Sequence, residues 1–148
     1  MEISEILAPE RVACGVDCRS KKAALEAVAQ LIAASDDTLK AGEVFDSLFA
    51  RERLGSTGLG DGVALPHGRR RQGAKTLGAF VKLKAPIDFD AIDRRPVDLL
   101  FALLVPEECT NEHLQILAKL AERFSDRDFL AKLRAADSGT DLFAMLTG

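Results

Sequence analysis

The chain contains no tryptophan and no tyrosine, so its aromatic side chains are eight phenylalanines. That leaves few of the stacking platforms on which proteins seat nucleic-acid bases. It also lacks an excess of either charge: 20 basic against 23 acidic residues give a net charge of −3, with no sign of a polyanion-binding surface. No uninterrupted apolar run approaches the ~18–20 residues of a membrane span. The longest, "LLFALLV" at 99–105, is the size of a strand. The acidic start "MEISEILAPERVACG" lacks the basic-then-apolar order of a secretory signal, so a cytoplasmic protein is expected. Cysteine is scarce and odd in number: Cys14, Cys18 and Cys109. One C-x3-C spacing without a second pair excludes the common zinc frameworks, and three free thiols are expected. Histidine is scarcer still, with only His67 and His113. They lie 46 residues apart without clustered ligands, so no metal is expected and no cofactor is implied.

The 148 residues, 47% hydrophobic and 29% charged, suit one folded domain spanning 1–148 with its own core. Ser20 caps an amphipathic helix with Leu25, Val28, Leu31 and Ile32 on one face. A second helix carries Val44, Phe45, Leu48 and Phe49 and stops with Gly55 at its C′ position. "LGAFVKLK" alternates Leu77, Ala79, Val81 and Leu83 as a strand with one wet face does. "RPVDLLFALLVPE" reads as a central strand covered on both faces. "TNEHLQILAKLAERFSD" opens on a Thr/Asn cap and lines up Leu114, Leu117, Leu120, Ala121 and Phe124, and two shorter helices close the chain. The fold class expected is α/β, with a central mixed β-sheet flanked by helices.

The most distinctive stretch is "GSTGLGDGVALPHG", from Gly55 to Gly68, which holds five glycines, two hydroxyls, one proline and one of the two histidines. It is not a P-loop, since no lysine follows the glycines. Gly58, Gly60 and Gly62 miss the dinucleotide spacing, and Ser56 directly follows Gly55, which rules out a nucleophile elbow. What remains is a glycine backbone able to form an anion nest beside one imidazole. Ser56 and Thr57 add donors, and Arg51 lies at the end of the preceding helix with a guanidinium fork suited to phosphate. An imidazole with one nitrogen held by an acceptor presents a nucleophilic lone pair on the other. These residues fit a histidine that accepts a phosphoryl group. A module that holds a small anion without covalent chemistry is the alternative from another class.

The same stretch resembles the active loop of the phosphotransferase-system IIA domains of the mannitol/fructose/nitrogen-regulatory family, G-S-T-x-x-G-[ND]-G-[VI]-A-[ILV]-P-H-G. "SKKAALE", "VFDSLFARERLGSTG", "FDAIDRRPVDLLFALLVPEE" and "EHLQILAKLA" extend the likeness from about residue 20 to residue 125. Gly58-Leu59 after "GST" is similar to the nitrogen-regulatory branch. Sugar-transporting relatives more often have Tyr-Met there. The resemblance implies that His67 is the phosphorylated histidine, that Arg51 is the active-site arginine, and that His113 is a second histidine near the phosphoryl group, with Ser56 or Thr57 contacting it. It implies an HPr-like phosphocarrier (NPr in the nitrogen branch) as donor, and regulated partners such as potassium-transport or sensor-kinase components in nitrogen, potassium and carbon control. A fructose- or mannitol-type component passing the group to a IIB domain is the alternative within the family. Asp61 stands where many relatives have asparagine, and its carboxylate either repels the phosphoryl group or points to solvent. Arg69, Arg70 and Arg71 are expected to form a solvated, partner-facing patch.

Overall fold

A computed structural model describes residues 2–71, 75–108 and 110–148, and of residue 110 only the backbone. Cys109, expected as a free thiol, and the side chain of the expected Thr110 cap lie outside the described residues. A short helix, α1 (Ile3–Ile6), and a 3-10 turn (Pro9–Arg11) lead into β1 (Val12–Val16). Two helices follow: α2 (Lys21–Ala34) and α3 (Ala41–Glu52). Ser20 accepts from the Ala23 amide at 3.1 Å, the cap expected for α2. Three short strands come next, β2 (Gly58–Gly60), β3 (Val63–Ala64) and β4 (His67–Arg70). The long strands β5 (Leu77–Ile87) and β6 (Val97–Pro106) precede the closing helices α4 (Thr110–Arg123), α5 (Arg127–Ala135) and α6 (Gly139–Thr147). Asp126 and Ser138 cap the last two. Among the described residues, no helix is long and apolar enough to cross a membrane.

The sheet is mixed, as expected, with strand order β1-β5-β6-β3-β2. β6 runs antiparallel to β5 and parallel to both β3 and β4. Val63 pairs with Leu99 and His67 with Leu103, so β3 and β4 follow one another along β6 at a constant offset. Pro66 sits in the break between them, and its carbonyl accepts from the Leu103 amide at 2.9 Å. The second half of the glycine stretch is thus an interrupted strand docked on the most buried strand of the sheet, which fixes His67 to the core.

Helices cover both faces. On one, Leu99, Phe101, Leu103 and Val105 of β6 pack with Ile116, Leu120, Leu130 and Leu142 from α4–α6. On the other, Leu100, Ala102 and Leu104 pack with Leu25, Val28, Ile32, Val44 and Leu48 from α2 and α3. Strand alternation puts Val63 and Leu65 on the α4 side, and His67 shares their parity.

Three sequence expectations change. β5 has no wet face through its first half: Phe80, opposite Ala79 and Val81, is fully buried against Phe101 and Phe124. The closing helices cover the face that an alternation pattern leaves open. The inward line of α4 is His113, Ile116, Leu120 and Phe124, while Leu114 is 63% exposed. A histidine counts as polar in a hydropathy pattern, so the pattern slips by one residue. α3 ends at Glu52, with Arg53 and Leu54 in an added turn, so Gly55 lies beyond the C′ position.

Candidate functional site

The site is assembled from the end of α3, the glycine stretch and the first turn of α4. His67 is half-buried, and its Nδ1 lies 2.8 Å from the Leu65 carbonyl. A carbonyl only accepts, so Nδ1 carries the proton and Nε2 the lone pair. Burial pushes the imidazole below its ordinary pKa; the Leu65 carbonyl opposes this, Arg51 adds to it, Glu52 opposes it and Arg69 adds to it. His67 is therefore biased toward the neutral, nucleophilic form.

His113 meets His67 edge-on, with ring centroids 5.2 Å apart and planes at 76°. It is 8% exposed, and its Nδ1 has no hydrogen-bond partner among the described residues. Burial, then His67, Arg69 and Arg51, lower its pKa as well. An unpartnered buried ring nitrogen costs free energy unless a ligand or water satisfies it.

Arg51 lies in the last turn of α3, half-buried, and donates from Nη1 to the Gly55 carbonyl at 2.8 Å. The Ser56 hydroxyl donates to the Phe89 carbonyl at 2.7 Å and accepts from the Gly58 amide at 3.1 Å. The Thr57 hydroxyl donates to Glu52 Oε2 at 2.6 Å, and its amide to Oε1 at 3.0 Å. The glycine stretch is thus less open than a bare nest. The amides of Thr57, Gly58 and Asp61 all donate to side-chain oxygens, and the Leu65 amide donates to the Thr57 carbonyl. Gly58 is required by close approach, since a Cβ there would stand 2.7 Å from that of Ala91.

Asp61 occupies the left-handed region (φ 55°), where both aspartate and asparagine are tolerated. Its amide donates to Asp93, its carbonyl accepts from Arg134 at 2.6 Å, and its carboxylate faces Arg127 at 3.8 Å. The acidic side chain is turned to Arg127 of α5, while Arg134 holds the backbone carbonyl. The arginine run divides. Arg69 and Arg71 are exposed, but Arg70 is 5% exposed and bound to Asp36 at 2.9 Å, so it is no part of a solvated patch. β4 alternates inward and outward, and the turn after α2 offers Arg70 an anionic socket. The Asp36 carboxyl, bonded by the Thr38 hydroxyl and amide and by Arg70, is pulled down to about 2.

Residues 5–148 match the family model described as "Phosphoenolpyruvate-dependent sugar phosphotransferase system, EIIA 2". The chain belongs to this family. Among its relatives, the nitrogen regulatory protein of Klebsiella oxytoca is 44% identical over 148 residues, covering 99% of this chain and 91% of that one. The nitrogen regulatory protein IIA-Ntr of Neisseria meningitidis superposes with a TM-score of 0.91 at 44% identity, over 98% of this chain and 99% of the other. IIA mannitol from Escherichia coli shares the fold at a TM-score of 0.78 and 20% identity, over 94% and 97% of the two chains. As a phosphotransferase-system IIA protein, the chain is a phosphoryl carrier.

The same cluster also holds a buried residue that sequence reading missed. Glu52, beside Arg51, is 5% exposed, and besides Thr57 it binds Lys21 Nζ at 2.8 Å. Lys21 in turn sits 4.9 Å over the Phe89 ring. The spacing of Glu52 five residues before Thr57 was visible in "RERLGST", but a charged residue at a helix end reads by default as solvated.

Proposed function

We propose that His67 accepts a phosphoryl group from the phosphohistidine of an HPr-like carrier, NPr in the nitrogen-regulatory branch, and that its phosphorylation state regulates partner proteins in nitrogen, potassium and carbon control. The proposal places this exchange in the cytoplasm and in one domain spanning 1–148. The observation that carries it is the His67 ring: in a IIA protein, at the end of the GST-to-PHG segment, its Nδ1 is held by the Leu65 carbonyl, so Nε2 carries the lone pair. Identities of 44% to nitrogen regulatory proteins favour the regulatory branch.

In this scheme Nε2 attacks phosphorus in line while the bond from phosphorus to the donor's ring nitrogen breaks, and that electron pair returns to the donor imidazole. His67 keeps its Nδ1 proton, so its ring becomes cationic, steadied by the Leu65 carbonyl and by the negative phosphoryl oxygens. The Arg51 guanidinium has five N–H donors; swinging its fork from Gly55 to the phosphoryl oxygens offsets charge as it arrives. His113 stands beside the acceptor as the second ring, and a phosphoryl oxygen offers it an acceptor. Ser56 and Thr57 reach the phosphoryl group only by releasing Phe89 and Glu52, so shaping the loop is the part their present bonds support.

The test is incubation with phosphoenolpyruvate, enzyme I and an HPr-type carrier. Wild type should gain one acid-labile phosphate, and His67→Ala none. Equal labelling of the two proteins would end the covalent reading. A IIB domain added afterwards reports whether the group passes onward to that domain, as a sugar-type component would pass it.

A further inference from the structure

A chain of hydrogen bonds leads from a buried carboxylate to the imidazole. Glu52, its side chain 1% exposed, accepts hydrogen bonds from both the amide and the hydroxyl of Thr57. The Thr57 carbonyl accepts from the Leu65 amide at 3.0 Å. The Leu65 carbonyl, on the far side of the same residue, accepts from His67 Nδ1 at 2.8 Å. Each link lies within ordinary hydrogen-bond distance.

We propose that Glu52 is a positioning residue for the phosphoryl acceptor: through Thr57 and Leu65 it holds the His67 ring with its proton on Nδ1 and its lone pair on Nε2. The inference rests on His67 as acceptor. Glu52 does not touch the ring, and Thr57 and Leu65 stand between them. The geometry gives it two further holds. Lys21 Nζ at 2.8 Å locks the carboxylate from α2, and the same lysine caps the Phe89 ring, whose residue supplies the carbonyl that binds Ser56. One buried anion therefore joins α2, α3, the start of the glycine stretch and the 88–95 turn. Because Arg51 is its chain neighbour, the same anchor fixes where the guanidinium leaves α3. The carboxylate also favours a charged His67 ring against the opposing effects of burial, Arg51 and Arg69, which suits a ring that becomes cationic when it takes phosphorus.

The test uses four purified proteins: wild type, Glu52→Gln, Thr57→Val and Thr57→Ser. Ring ¹⁵N NMR of the unphosphorylated proteins reads the His67 tautomer, and steady-state phosphorylation by a phosphorylated HPr-type carrier reads kcat and KM. Wild type and Thr57→Ser should hold the proton on Nδ1. Thr57→Val, which keeps the shape but loses the hydroxyl donor, and Glu52→Gln should show a mixture of tautomers. In those two, kcat should fall roughly tenfold, the usual scale for losing an orienting partner, with KM little changed. An unshifted tautomer and wild-type kcat in both would overturn the inference. Should Glu52→Gln fail to fold, the Thr57→Val and Thr57→Ser pair decides alone. The NMR arm needs no phosphoryl transfer, so it judges Glu52 even if labelling of His67→Ala overturns the acceptor reading.

Discussion

At the scale of single residues, the candidate site brings together two imidazoles whose pKa values burial lowers and the Arg51 guanidinium at the end of α3. Burial lowers the pKa of both His67 and His113 in the folded protein. Between the folded value and the unfolded value of ~6.5, the unfolded chain binds more protons, so stability rises with pH in that window. The contribution is fully present above about pH 6.5 and is lost as pH falls through that value toward the folded pKa. Thermal melts across the acid range should show the wild-type midpoint dropping below about pH 6.5, with a shallower drop in His113→Phe. An identical slope in the two proteins would mean that His113 does not titrate as its burial requires. The phosphorylation rate should hold through that window and fall only as pH drops through the lowered folded pKa of His67, because a protonated Nε2 has no lone pair to offer.

Among the described residues, Arg51 makes one hydrogen bond, to the Gly55 carbonyl. Arg51→Ala should therefore change stability by no more than about 0.5 kcal/mol. Loss of a charge-stabilising donor should slow phosphorylation roughly 10²-fold. Melting curves and single-turnover labelling check the two halves separately, and a wild-type rate would remove the arginine from the site.

At the scale of elements, β4 carries opposite demands on neighbouring residues. His67 is half-buried, Gly68 backs onto Ser47 of α3, and Arg70 is buried against the turn after α2. Removing Arg70 leaves Asp36 partly buried and without its cation, while Arg71 lies in the open. Arg70→Ala should cost about 2 kcal/mol, below the full cost of breaking a buried pair because Asp36 is partly exposed. Arg71→Ala should stay within about 0.5 kcal/mol. Urea denaturation of both variants measures the difference; equal stabilities would contradict the burial of Arg70. Three successive arginines look alike in sequence. The pairing of β4 with β6, together with a carboxylate more than thirty residues upstream, decides which one points inward.

At the scale of the whole molecule, β6 divides the core into two halves, and His67 sits where the segment along its edge breaks. Phe80, Phe101, Phe124 and Phe129 form a chain of rings under the closing helices, with successive centroids 6.0–6.2 Å apart. Phe80→Ala should cost roughly 3–5 kcal/mol. Phe49→Ala, at a ring 38% exposed, should cost well under that. Calorimetry that found the two variants equally stable would contradict a helix-covered second face of the sheet.

Local signals alone yielded the helix cap at Ser20, the two closing helices, the twice-covered strand within "RPVDLLFALLVPE" and the glycine stretch ending in His67, because each is written in neighbouring residues. The family resemblance outside that loop pointed to Arg51 and His113. Tertiary structure decided what depends on partners distant in sequence. It buried both faces of β5 through its first half, rotated α4 so that His113 faces inward, paired Arg70 with Asp36, and engaged the amides of Thr57, Gly58, Asp61 and Leu65. It also drew Glu52 out of water, because Lys21 and Thr57 together supply what hydration would otherwise provide. A hydropathy pattern records what a side chain prefers in water, and only the packed chain brings a charged group the partners that make its burial favourable.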